Sequence, residues 1–129
     1  MKNRKYILLF WLLLGLSACV TLNTEAPKTK VLRHLVAFKF KPGTTTAQMQ
    51  KATADFLNLK GPVPQIIAVE GGPDVNFEKK NGKFTHCFIV TVKNEKELAA
   101  YGAHPNHKAF SKSVDPLLAE VMIVDYWAE

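Results

Sequence analysis

The sequence predicts an α+β domain of the ferredoxin-like kind, a four-stranded antiparallel sheet in the chain order β-α-β-β-α-β with helices on one face. Three observations lead there. Alternating or β-rich apolar runs at 31–40, 65–70, 84–92 and 121–127 read as four strands. Between the first and second runs, and again between the third and fourth, the apolar period becomes that of a helix. Each helical stretch opens on a cap signature, Thr45-x-x-Gln48 and Asn94-x-x-Glu97.

The chain begins before that domain. Lys2, Arg4 and Lys5 precede an uncharged apolar run from Tyr6 to Leu14, and small residues follow it. This is the pattern of an export signal. Leu16-Ser17-Ala18-Cys19 has the form of a bacterial lipobox, in which Cys19 is lipidated and becomes the mature first residue. Residues 1–18 are thus expected to be a lipoprotein signal peptide. An uncleaved membrane helix fits less well, because the run is short for a span of roughly 18 to 20 residues. Val20 stands where an aspartate would favour retention at the inner membrane, so by resemblance to the sorting rules of two-membrane bacteria the expected address, in such a cell, is the periplasmic face of the outer membrane. Residues 19–30 are polar, hold Pro27 and follow no period, as a tether would. The domain is assigned to 31–129.

Within the domain, the first strand places Leu32, His34, Val36, Phe38 and Phe40 on one side. Pro42-Gly43 breaks it. The first helix carries Met49, Ala52, Phe56 and Leu59 on one face and stops at Gly61-Pro62. A short strand from Gln65 to Glu70 is closed by Gly71-Gly72-Pro73, and Asn81-Gly82 signals a turn in the loop that follows. The third strand alternates Phe84, His86, Phe88, Val90 and Val92 with Thr85, Cys87, Ile89 and Thr91. The second helix carries Leu98 and Tyr101. Pro105 suits the first position of a further helix, with Phe110, Val114 and Leu117 buried, and Pro116 kinks or ends it.

Charge excludes one class of partner. The formal charge is +6, but Lys2, Arg4 and Lys5 belong to the expected signal. What remains is small and interleaved with acids, unlike a nucleic-acid surface. Lys79, Lys80 and Lys83 read as a solvated loop. With Cys19 lipidated, Cys87 has no partner for a disulfide, and its apolar surroundings suggest a buried small side chain.

The strands carry more apolar surface than one layer of helices covers. Ile89 and Cys87 oppose Phe88 and His86, while Met122 and Val124 oppose Val121 and Ile123. An antiparallel sheet with one wet face normally alternates cleanly. A second copy meeting the first about a two-fold axis covers the surplus, so a homodimer with facing sheets is expected.

Candidate chemistry gathers at Tyr101-Gly102-Ala103-His104-Pro105-Asn106-His107. Histidine changes charge near neutral pH, which suits acid–base work. His107 as general base beside a carbonyl, with Tyr101 donating to the developing oxyanion, is a coherent pair. Tyr101 reads equally as core packing, and His104 fits a helix cap before Pro105. His34 and His86 share strand parity, on apolar faces, and read equally as a satisfied core network or as pocket walls. His104-x-x-His107 crosses a proline and matches no zinc spacing, so no metal and no cofactor is expected.

Arg33-His34-Leu35-Val36-Ala37-Phe38-Lys39-Phe40-Lys41, Phe84-Thr85-His86, Tyr101-x-x-His104-Pro105-x-His107 and Val124-Asp125-Tyr126 together resemble the stress-responsive A/B barrel (Dabb) family, of the dimeric α+β barrel superfamily. The resemblance covers the domain end to end and implies the same dimer. In a plant cyclase of this family a tyrosine and a histidine close a linear polyketide by aldol-type condensation. The resemblance places them on Tyr101 and His107, and further pocket histidines on His34, His86 and His104. Gly102-Ala103 stand in place of bulkier residues, which implies a pocket of another shape. Two functions follow as expectations. One is a lipid-tethered envelope protein binding a small apolar molecule. The other is an acid–base enzyme using Tyr101 and His107.

Overall fold

The computed structural model describes residues 29–128. The expected signal peptide, Cys19 and the tether as far as Lys28 lie outside the described residues. The elements run β1 (Val31–Phe40), α1 (Thr46–Asn58), β2 (Ala68–Pro73), β3 (His86–Val92), α2 (Glu95–Ala103), α3 (Pro105–Val114), a 3-10 turn (Asp115–Leu117) and β4 (Leu118–Ala128). They form one antiparallel four-stranded sheet in the order β2-β3-β1-β4, the ferredoxin-like arrangement.

Local chemistry fixes the helix starts. Thr45 and Gln48 form the reciprocal capping box, with Gln48 N–H donating to Thr45 Oγ1 at 3.2 Å and Thr45 N–H donating to Gln48 Oε1 at 2.9 Å. Asn94 caps α2 by accepting from Glu97 N–H at 3.0 Å. Pro105 opens α3, where its missing N–H costs no bond. α3 stops at Val114, and Pro116 falls in the 3-10 turn after it.

Register decides the faces. His34 pairs with Val90 on one side and Asp125 on the other; Val36 pairs with Phe88 and Ile123. These residues share the helix-covered face. Beneath α1 and α3, Phe38, Phe56, Phe88 and Phe110 make a packed aromatic cluster, with Phe56 and Phe88 stacked at 4.3 Å. Among the described residues, the core cluster and the strands and helices lie within 31–128, so the segment from Thr29 to Glu129 holds a complete core with which to fold on its own.

The opposite face has Leu35, Ala37, Ile89, Met122 and Val124 at its middle. Its charges sit toward the ends and are paired, Arg33 with Glu70 at 3.6 Å and Lys39 with Glu120 at 2.5 Å. Met122, Val124 and Tyr126 are exposed there. An apolar centre of this extent is the signature of an interaction surface.

Four sequence expectations shift, and the smallest is β3, which starts at His86 rather than Phe84. β2 starts later than expected and runs through Gly71-Gly72-Pro73 rather than ending before them. Gly71, at φ +146°, lies so close to β3 that a Cβ would come within 2.3 Å of the Cys87 carbonyl oxygen. Those glycines therefore permit close pairing instead of breaking it. Pro73 is tolerated because β2 is an edge strand. β4 is longer than expected because it pairs along all of β1, from Ala128 opposite Val31 to Leu118 opposite Phe40. Cys87 is not buried; it is exposed on the uncovered face, because no helix among the described residues reaches that side.

Candidate functional site

On the helix-covered face the helices do not reach β4. Val121 and Ile123 point the same way as Val36 and Phe38 yet stay exposed, Ile123 by 56%. The gap is a cavity of about 460 Å³ between α2 and α3 on one side and β1 and β4 on the other. Its floor is apolar, with Val36, Phe38, Phe56, Phe110, Val114 and Leu118. Its polar wall is His34, Tyr101, His107, Ser111, Asp115 and Asp125. A half-enclosed apolar hollow with a few converging polar groups has the makings of a ligand site.

Each wall residue is held by an identifiable contact. His34 Nδ1 lies 2.6 Å from Asp125 Oδ1 across the β1–β4 ladder. A carboxylate only accepts, so Nδ1 carries the hydrogen. Tyr101 comes off the buried side of α2 and is 2% exposed. Its ring meets His34 edge-on at 5.8 Å and His107 at 4.4 Å. His107 Nδ1 is 3.1 Å from the Gly102 carbonyl oxygen, to which it donates, and this leaves Nε2 as the basic nitrogen.

Among the described residues, the buried Tyr101 hydroxyl has no protein hydrogen-bond partner. A buried hydroxyl left unpaired costs about 1–3 kcal/mol, so native structures rarely keep one without a reason. Burial pushes this phenol up to about 12, so it remains a donor throughout the neutral range. Burial likewise lowers His107 below the ordinary histidine value. Its bond to Gly102 acts upward, His34 downward and Asp115 upward. At neutral pH His107 is therefore a free base beside a protonated phenol.

The structure brings together three of the five candidates and separates two. His34, Tyr101 and His107 line the cavity. His86 and His104 are not among its lining residues. His86 sits at the far end of β3 with its ring 5.1 Å from Phe40, and its Nδ1 is 3.0 Å from Thr85 Oγ1. Burial lowers its pKa. His104 is the N-cap of α3, its Nδ1 accepting from Asn106 N–H at 3.2 Å. Asp125 was not singled out by sequence reasoning as a site residue. The signal was present: it is the lone acid in the apolar run 121–127, and the ferredoxin-like order sets that strand beside the one bearing His34. Ser111 and Asp115 follow His107 at four-residue steps along one side of the same helical path, and this too was legible. Among the described residues, no three of His, Cys, Asp and Glu come together as a metal site.

The fold and site define a class first: a ferredoxin-like α+β domain with a phenol–imidazole cavity between its helices and an edge strand. Within that class, the stress responsive A/B barrel domain matches residues 32–128, and the chain belongs to this family. It is 30% identical to olivetolic acid cyclase of Cannabis sativa over 95 residues, which cover 74% of this chain and 94% of that one. It is 27% identical over 95 residues to a stress-response A/B barrel domain-containing protein of Arabidopsis thaliana, covering 74% and 87%. Among solved structures, the hydroxynitrile lyase of Passiflora edulis superposes with a TM-score of 0.72 at 21% identity, covering 78% of this chain and 95% of that one. A dimeric ferredoxin-like protein of unknown function from Thermobifida fusca superposes with a TM-score of 0.68 at 21% identity, covering 78% and 93%.

Proposed function

We propose that this protein is a lipid-tethered, homodimeric A/B barrel domain of the bacterial envelope that binds a small, largely apolar molecule in the cavity beneath α2 and α3. The observation that carries the binding role is the unpartnered Tyr101 hydroxyl at the wall of an apolar hollow. A ligand oxygen placed against it would supply the hydrogen bond that no described protein group makes. The lipid tether rests on the lipobox ending in Cys19. The dimer rests on the apolar middle of the uncovered sheet face, with the Thermobifida fusca protein as a dimeric example of the fold. A thermal-shift screen of small carbonyl and phenolic compounds on the 29–129 segment tests the binding role. Hits whose shift is lost in Tyr101→Phe support it; hits indifferent to that substitution sink it.

A second reading, acid–base catalysis on the bound molecule, is favoured by the tautomer of His107. Its Nδ1 is committed to the Gly102 carbonyl, and its Nε2 lone pair is free beside Tyr101. In this reading Nε2 takes a proton from the carbon next to a ligand carbonyl. The electron pair moves onto the carbonyl oxygen, which accepts a hydrogen bond from Tyr101 as charge develops. The similarity to olivetolic acid cyclase is consistent with it. Exchange of α-hydrogens of a bound ketone in deuterated water, followed by NMR, separates this reading from simple binding. Catalysed exchange that disappears in His107→Ala supports catalysis, and no exchange above background in wild type leaves binding alone.

A further inference from the structure

We propose that the cavity selects a molecule with an uncharged oxygen-bearing head, a ketone, aldehyde or phenol on a short apolar body, and turns carboxylates away. This rests on the ligand-binding reading above and names the class of ligand. The charged side chains in the lining, Asp115 and Asp125, are both acids, and the lining contains no lysine or arginine. A bound carboxylate would meet like charge at the rim and no cation to neutralise it in a low-dielectric hollow.

The donors point the same way. The Nδ1 hydrogen of His34 is occupied by Asp125 at 2.6 Å, and that of His107 by the Gly102 carbonyl at 3.1 Å. The buried donor left over is the Tyr101 hydroxyl. With the Ser111 hydroxyl at the wall there are two neutral donors, which match the two lone pairs of one carbonyl oxygen; they are too few for a carboxylate, whose two oxygens offer about four lone-pair sites. An ammonium head fares no better. Its cost is desolvation: Asp125 is already engaged by His34, and the apolar floor offers no oxygen to replace the water an ammonium sheds.

The test is calorimetric titration of the 29–129 segment at pH 7 with three molecules of equal carbon count: methyl hexyl ketone, octanoate and octylamine. The ketone is expected to bind, and octanoate to bind at least about ten-fold more weakly through like-charge repulsion and lost hydration. In Asp115→Asn the ratio of ketone to octanoate affinity is expected to fall, because one of the two acids in the lining is gone. Octanoate binding as tightly as the ketone overturns the selection, and so does octylamine binding more tightly. If none of the three binds, the ligand-binding reading itself falls, an outcome distinct from either reversal.

Discussion

His34 and His86 occupy equivalent parity on neighbouring strands, yet they end in different surroundings. His86 lies at an end of the sheet, its ring against Phe40 and Phe88. His34 lies where the helices stop short of β4, facing a hollow and held by Asp125. The same contrast divides the whole helix-covered face. The half over β1 and β3 is closed by α1 and filled with stacked phenylalanines; the half over β1 and β4 is left open. Side-chain parity places a residue on a face, but the reach of the helices decides whether that place is core or cavity.

The contrast can be broken by mutation. Phe88→Ala, in the closed half, is expected to cost about 3–5 kcal/mol in denaturant unfolding, because it opens a void beside Phe38 and Phe56. Ile123→Ala, on the same face but in the open half, should cost less than about 1 kcal/mol, since that side chain is already half in water. Equal losses would mean the two halves are packed alike.

The next largest effect is at alkaline pH. Tyr101 has its folded pKa raised from 10.0 to about 12, so between those values the unfolded chain gives up the proton before the folded one. The folded state then binds more protons, and stability falls as pH rises through that window. Part of the loss measured between pH 10 and 12 should be absent in Tyr101→Phe. His107 and His86 act at the other end. Both are lowered, so the unfolded state binds more protons and stability falls as pH drops below the ordinary value of 6.5. A stability profile flat from pH 6.5 down to 5 would contradict the burial of these two rings.

Tyr101→Phe at neutral pH is expected to leave the unliganded domain as stable as wild type or more so, by up to about 1 kcal/mol, because it removes an unsatisfied polar atom. A clear loss of stability would show that the hydroxyl has a protein partner after all. The smallest effect is at Gly102. It lies within α2, and a Cβ there would meet nothing within 4 Å. Gly102→Ala should therefore raise stability by about 0.5–1 kcal/mol from helix propensity alone. Gly102→Phe should also narrow the cavity it lines, which weakened binding of the bulkier ligands would reveal.

Much of this was legible in the chain. Cap signatures, turn residues and apolar periods gave the order of elements, and the mismatch between apolar strand faces and available helices pointed to the bare sheet surface. Tyr101 and His107 stood out because a short corner held both. The cavity did not, because it arises from an extent of coverage, how far α2 and α3 overhang β4, that no local pattern encodes. Gly71-Gly72-Pro73 misled for a related reason. Those residues signal a break in isolation, and only the close approach of β3 makes them strand. His86 looked like a partner of His34 because parity is blind to position along the strand.

The central claim is that the Tyr101 hydroxyl is kept without a protein partner for a ligand oxygen. A crystal structure of the 29–129 segment with methyl hexyl ketone tests this most directly. The account predicts the carbonyl oxygen within about 3 Å of Tyr101 Oη, with the alkyl chain over Phe56 and Phe110. A ketone bound elsewhere, or a Tyr101 hydroxyl bonded to another side chain in a closed cavity, would contradict it.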